Sequence, residues 1–339
     1  YAFNSISIIF FCSPAILFFK NKYKYFVFLT FLLMFFSFYI YGSYKINNDQ
    51  KVIKETLQTV NFKVISPNFD MRYIHSEEEI KDTIEKIARY SDPEPNKKTV
   101  FVWPEGIFAG VYLEDLKKFS NFFSKNFSKN HLIIFGVNTQ DDKSKNFYNS
   151  LVVVNNKLEV LYKYDKKKLV PFGEFLPFEY LMEKIGLKKI TYGYGSFSTG
   201  SNKNNFKFNN LNILPLICYE IIFPKLTQLA DKKTNMIVNI SEDAWFGNSI
   251  GPQQHFVKAI YRAIENGSYT VRSANMGISA FISPTGKILK ILNSTEAGNI
   301  EMDLPLIKSK NNNTNKSLIF TLLLIIYAIT FLLLKKFKL

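Results

Sequence analysis

The sequence predicts an α/β layered domain held between membrane-spanning helices, on three observations. Strand-like and helix-like segments alternate through most of residues 60–290, the pattern of sheets covered by helices. Three uncharged apolar runs stand at 1–19, 25–44 and 317–334, each close to the ~20 apolar residues that cross a bilayer. No run of that length occurs between 45 and 316. The implied organisation is two transmembrane helices over 1–44, a water-exposed domain over 45–310, and a third helix with a short tail over 311–339.

The elements follow in order. Val60–Ser66 alternates as a strand,. Ser76 caps a helix with an acidic first turn, Glu77-Glu78-Glu79, that continues through Ile84, Ile87 and Ala88,. Lys98–Trp103 reads as a short buried strand, cut off at Pro104-Glu105-Gly106. Leu113–Phe127 has the spacing of an amphipathic helix and His131–Gly136 of a strand,. Two strands, Leu151–Val154 and Val160–Tyr164, flank the turn Asn155-Asn156. Residues 171–207 are irregular and rich in Gly, Ser, Tyr and Phe. Ile213–Ile217 and Asn235–Ile240 are strands and Gln253–Asn266 a helix. Val271–Ile282 reads as one strand running to the turn Ser283-Pro284-Thr285-Gly286. No internal repeat is evident.

The chain has 339 residues, with 34 Phe and 19 Tyr, an aromatic excess that the apolar runs account for. The net charge of +15 invites a nucleic-acid partner,. Its scatter, with no recognition-helix, zinc-finger or RNA-binding signature, argues against one; anionic lipid headgroups suit it better. The link Lys20-Asn21-Lys22-Tyr23-Lys24 and the tail Lys335-Lys336-Phe337-Lys338 are short and lysine-rich, which keeps both in the cytoplasm and puts the large domain across the membrane. Starting at Tyr1 inside an apolar run, the sequence is expected to have residues upstream, so three spans are a minimum. The first run lacks the charged start of a signal peptide.

The two cysteines are Cys12, in the first run, and Cys218, in the domain. Cys218 is therefore a free thiol, at the end of the apolar strand in "LPLICYEIIFP". Such a residue is either a small buried hydrophobe or a nucleophile, which then requires a base. The histidines are His75, His131 and His255, none in a recognisable nucleophile motif, so a cysteine–histidine protease is weakly indicated. Glu105 in "FVWPEG" also follows a buried strand, as a turn-former or an active-site carboxylate. "LYKYDKKKLVPFGEFLP" adds a lysine cluster at a strand end, at least two members of which are expected on a solvated face.

In that order, "WPEG", "YDKKKLVPFGEFLP" and "ICYEIIFP" resemble the Glu, Lys and Cys motifs of the carbon–nitrogen hydrolase (nitrilase) superfamily. With "SFSTG", "NISEDAWFG", "GPQQH", "RAIENG" and "VRSANMGISA" added, the set is similar to the apolipoprotein N-acyltransferases of the bacterial inner membrane. The resemblance covers most of 60–290 and implies an αββα sandwich. It implies Cys218 as nucleophile, Glu105 as general base and Lys166 as the cation stabilising the tetrahedral intermediate. Lys166 is preferred because it falls in the family's Tyr-x-Lys-x-x-Leu spacing from Tyr164 to Leu169. Glu174 and Glu220 match supporting acidic positions.

The implied reaction has two steps. Cys218 takes an acyl chain from a phospholipid as a thioester, then passes it to the N-terminal α-amine of the diacylglyceryl-cysteine of an apolipoprotein. No metal, nucleotide or other cofactor is called for. The implied location is the bacterial inner membrane, with the catalytic domain periplasmic. The alternatives are a membrane-tethered amidase using the same Glu-Lys-Cys set and a non-catalytic basic membrane adaptor. The family usually has more spans before its catalytic domain than the two counted here.

Other features keep two readings. Tyr192–Phe197 is a mobile arm toward the bilayer or a surface loop. Trp245-Phe246-Gly247 lines an acyl pocket or anchors a core. His255 is expected to be structural, Arg262 and Glu265 to form a surface pair, and Asn275-Met276-Gly277 to shape backbone close to the site.

Overall fold

In a computed structural model, the described residues are 2–53, 58–74, 76–141, 143–178, 184, 196–201, 205–228, 234–307, 321, 324, 325 and 328. The chain divides into two compact units, Tyr1–Lys51 with Asn312–Leu339, and Val52–Asn311.

In the first unit, helix α1 spans Ala2–Cys12 and helix α2 Lys24–Ile53. Among the described residues, α2 is the one helix long and apolar enough to cross a membrane, over Lys24–Asn47. The first apolar run is not one continuous helix. Pro14, which has no N–H to donate, begins a tighter turn of helix over Ser13–Phe18. Phe10 stacks on Phe35, with ring centroids 4.2 Å apart. The third apolar run lies almost wholly outside the described residues, as does most of Tyr192–Phe197.

The second unit is built on strands β1 (Thr59–Ser66), β2 (Thr99–Val102), β3 (His131–Gln140), β4 (Phe147–Val154) and β5 (Val160–Asp165). It continues with β6 (Phe206–Phe208), β7 (Leu211–Ile217), β8 (Met236–Glu242) and β9 (Tyr269–Asn275). The last strands are β10 (Ser279–Ile282), β11 (Ile288–Leu292) and β12 (Gly298–Pro305). They form two six-stranded sheets, ordered β12-β1-β2-β3-β4-β5 and β11-β10-β9-β8-β7-β6. Each has three parallel strands at its centre, β1-β2-β3 in one and β7-β8-β9 in the other. Both faces of these central strands are buried, which is why they read as apolar runs rather than alternating ones.

Helices α3 (Glu77–Ser91), α4 (Leu113–Lys117) and α5 (Ser120–Asn126) cover the outer face of the first sheet. Ile84 and Ile87 there pack with Trp103, Phe123 and Phe135. Helices α6 (Pro224–Gln228) and α7 (Gly251–Asn266) cover the second sheet, with Phe256, Ala259 and Ala263 against Leu216 and Ile237. Between the sheets Phe62, Val100, Ile134, Ile213, Val238 and Val271 make a common core. The result is the αββα sandwich. Burying each such side chain contributes roughly 1.5–3 kcal/mol.

Two expected elements divide. Leu113–Phe127 is two short helices, broken after Lys117. Val271–Ile282 is two antiparallel strands that turn back through Met276, whose φ is +48°. An apolar count carries no signal for that reversal. β12, which closes the first sheet by pairing antiparallel with β1 from Thr59–Pro305 to Ser66–Gly298, was not anticipated.

Candidate active site

Three strand ends build the site. β2 stops where Pro104 cannot continue the ladder, leaving Glu105 in the next turn, and Gly106 relieves that turn with φ +81°,. A Cβ at Gly106 would overlap the Glu242 carboxyl. Lys166 follows β5 directly, and Cys218 follows β7. Cys218 has φ +46°, an uncommon conformation for a side-chain-bearing residue,. Such strain is found where surrounding contacts enforce it. Here His255 Nε2 lies 3.2 Å from the Cys218 carbonyl oxygen, and His255 Nδ1 lies 2.9 Å from Asp243 Oδ1. Asp243 is held in turn by Arg272, at 2.7 Å.

All five residues singled out from the sequence fall in this region. Lys166 Nζ, 1% exposed, donates to Glu105 Oε1 at 3.2 Å and to Glu174 Oε1 at 2.8 Å. Asn149 Nδ2 bridges the same two carboxylates at 2.7 Å each. The Glu242 N–H donates to Glu105 Oε2 at 3.1 Å, and the Val170 N–H fixes Glu174 Oε2 at 2.8 Å. Glu220 is buried beneath. It accepts from the N–H groups of Ile217 (2.9 Å), Lys167 (2.7 Å) and Lys168 (3.1 Å), and from the Tyr164 hydroxyl at 3.0 Å. It thus ties the lysine turn to the cysteine turn. Glu105, Lys166, Glu174 and Cys218 line one pocket of about 590 Å³, and Trp245 and Phe246 line it too.

The electrostatics fix resting protonation. Burial opposes charge on Lys166, but Glu105 and Glu174 override it and hold the ammonium well above lysine's ordinary range. Burial, then the negative charge of Glu105, pushes the Cys218 thiol well up against the opposing pull of Lys166. At rest the thiol is protonated, and an attack by sulfur needs a base to take that proton. Burial also pushes Glu220 up, against the amides that cap it. Such a constellation suits acyl transfer: a thiol, a carboxylate and an ammonium face one cavity.

Several readings change on this geometry. Trp245 and Phe246 are 50% and 39% exposed, so they are no core anchor. Arg262 is buried, not half of a surface pair, though it does reach Glu265 at 3.2 Å. Of the cluster expected to place at least two lysines on a solvated face, Lys168 is exposed, Lys167 is half-buried and Lys166 is buried. His131 caps the turn before β3, far from this role, and His75 lies outside the described residues. Asn275 does fix backbone, bonding the N–H and carbonyl of Phe69 at 2.8 Å each. Sequence reasoning missed Asn149, Glu242, Asp243 and Arg272. Their signal is polar residues in or directly after apolar strands, visible in "FYNSLVVV", "MIVNISED" and "YTVRSAN".

The family profile of carbon–nitrogen hydrolases matches residues 78–310. This chain belongs to the carbon–nitrogen hydrolase family. Among curated relatives, the apolipoprotein N-acyltransferase of Rhodopseudomonas palustris is 32% identical over 266 residues, 74% of this chain and 49% of that protein. The apolipoprotein N-acyltransferase of Bradyrhizobium diazoefficiens is 38% identical over 213 residues, 61% of this chain and 40% of that one. The chain thus spans about half or less of the length of these relatives. Among solved structures, an amidase from Nesterenkonia sp. superposes with TM-score 0.56 at 16% identity, over 79% of this chain and 98% of its own. Saccharomyces cerevisiae Nit3, a nitrilase-superfamily member, gives 0.53 at 17% identity, over 74% and 91%. These two likenesses are of fold.

Proposed function

We propose that the chain is an acyltransferase of lipoprotein maturation. In this reading it moves a fatty acyl chain from a phospholipid, through a Cys218 thioester, to the N-terminal α-amine of diacylglyceryl-cysteine. The observation that carries it is the convergence of Cys218, Glu105 and Lys166 on one pocket lined also by exposed aromatics. The similarity to apolipoprotein N-acyltransferases supports the choice of substrates.

Glu105 takes the thiol proton as Sγ attacks the ester carbonyl carbon. Negative charge grows on the carbonyl oxygen, and Lys166 is the nearby cation to stabilise it. The C–O bond breaks, a C–S bond forms, and the lysophospholipid hydroxyl leaves with the proton from Glu105. In the second step the amine attacks the thioester carbon, the C–S bond breaks, and Cys218 regains its proton. Splitting transfer into two steps lets two bulky lipids use one site in turn. Glu174 and Asn149 position Lys166 and Glu105, and Glu220 fixes the two turns. Apolar helices anchor the chain in the bacterial inner membrane, with the catalytic unit on the periplasmic side, where its lipid substrates are reached.

The test is the purified chain with acyl-labelled phosphatidylethanolamine and a diacylated lipopeptide. Label on the peptide amine is expected. Label found only as free fatty acid makes the protein a hydrolase.

A further inference from the structure

The carboxylates of this site have partners that account for their charge, with one exception. Glu105 and Glu174 share Lys166, Asp243 has Arg272, and Glu220 is capped by three amides. Glu242, 4% exposed, ends β8 and lines the pocket. It has no cation partner among the described residues. Neutral donors hold it: Asn275 Nδ2 at 3.2 and 2.9 Å, and the Ala244 N–H at 3.0 Å. Its own N–H grips Glu105 at 3.1 Å, and its side chain presses on Gly106, so it lies alongside the base. A fixed, buried carboxyl that faces a substrate pocket beside the base is a site for a cation brought by the substrate.

We propose that Glu242 receives the acceptor's α-ammonium and removes its first proton, so that a neutral amine meets the thioester. This deepens the acyl-transfer reading above and rests on it. An ammonium has no lone pair and cannot attack carbon. Acylating it requires the loss of two protons, and Glu105 accounts for one. The first passes from R–NH3+ to the Glu242 carboxylate, leaving R–NH2 and a neutral carboxylic acid. The amine nitrogen then bonds the thioester carbon, the C–S bond breaks, and the second N–H proton goes through Glu105 to the leaving sulfur. Glu242 returns its proton to water at the pocket mouth. Glu105 and Asp243 are its titratable neighbours, and Lys166, Cys218, His255 and Lys258 line the same pocket. Burial, opposed by Asn275 and Ala244 and reinforced by Glu105 and Asp243, pushes Glu242 up to about 8, so near neutral pH the proton-accepting carboxylate is the minor form and grows in as pH rises toward that value. A free α-amine titrates near ~7.7–8.0, so proton exchange between the two is close to balanced.

The experiment uses the full chain in detergent and separates the half-reactions. Cys218 is first acylated from labelled phosphatidylethanolamine. The acyl-enzyme is then discharged, either to a diacylated lipopeptide or to hydroxylamine, which arrives uncharged at neutral pH. Glu242→Gln keeps the size and the backbone N–H. Discharge to the lipopeptide is expected to fall about 10–100-fold further than acylation. Hydroxylamine discharge should match wild type within about threefold, and the lipopeptide deficit should shrink as pH is raised above the amine's range. Equal losses with both nucleophiles, or no selective loss with the lipopeptide, overturn the proposal. A wild-type protein that acylates but passes no label to the lipopeptide overturns the transfer reading itself, and this proposal with it; that failure is seen without any variant.

Discussion

Lys166 sits between two carboxylates, and that arrangement decides what Glu105 does. An isolated buried carboxylate is costly to charge; one that shares an ammonium with Glu174 and an amide with Asn149 remains an acceptor aimed at the pocket. Glu105→Gln removes the base we propose and turns its amide nitrogen toward a donor, either the Lys166–Asn149 pair or the Glu242 N–H. Transfer should fall by about 10²–10⁴-fold with the fold retained, as checked by parallel rate measurements and circular dichroism. Arg272 is as fully buried as Lys166, donating to Asp243 and also to Asn239. Arg272→Met leaves Asp243 without its cation and should cost about 3–5 kcal/mol, read by urea denaturation of the full chain in detergent. Burial works against the Asp243 charge, but Arg272 and then His255 pull the group down to about 2 from an ordinary 3.8. A depressed carboxylate contributes stability that is present above its unfolded value and lost as pH falls through the folded one. The Arg272 variant should therefore differ from wild type most above pH ~4 and converge on it toward pH ~2.

At the scale of elements, the site depends on turns that strands end in. Gly106 adopts φ +81° against the Glu242 carboxyl, and Gly277 leaves no room for a Cβ beside Asp243. Gly106→Ala meets both a strained φ and an overlap, so it should destabilise by about 1–3 kcal/mol and slow acylation by moving Glu105. A denaturation midpoint and an acylation rate measured on one preparation check both effects. The same scale shows where the sequence was legible. Central strands were visible because both their faces are buried, and α3 because Ser76 caps it, accepting from the Glu79 N–H at 3.2 Å. Glu105 and Cys218 were visible as chemistry-bearing residues at strand ends, whereas Lys166 was singled out of its cluster only by the family resemblance. β12 was not visible, since the exposures along its first six residues alternate little and its pairing partner lies more than two hundred residues upstream. Glu242, Asp243 and Arg272 stood out only as polar residues in or just after apolar strands, and such a residue carries no mark of which face it occupies or what it meets. Those contacts are long-range, and only the folded sheet order brings β8 and β9 together.

At the scale of the whole molecule, a carbon–nitrogen hydrolase sandwich shares its chain with long apolar segments. The second unit holds the site, and the first holds an apolar helix over Lys24–Asn47. The topology we propose predicts that a membrane-impermeant maleimide reaches a cysteine introduced at exposed Lys207 in intact spheroplasts, in a Cys12→Ser, Cys218→Ser background. Labelling only after the membrane is permeabilised would reverse the orientation. The most direct measurement, however, concerns the sulfur. Incubated with phospholipid alone and digested, the wild-type chain should yield the Cys218 peptide heavier by one acyl group, the adduct released by hydroxylamine and absent from Glu105→Gln at matched times. An unmodified Cys218 peptide after prolonged incubation, or an acyl group attached elsewhere, would contradict the account.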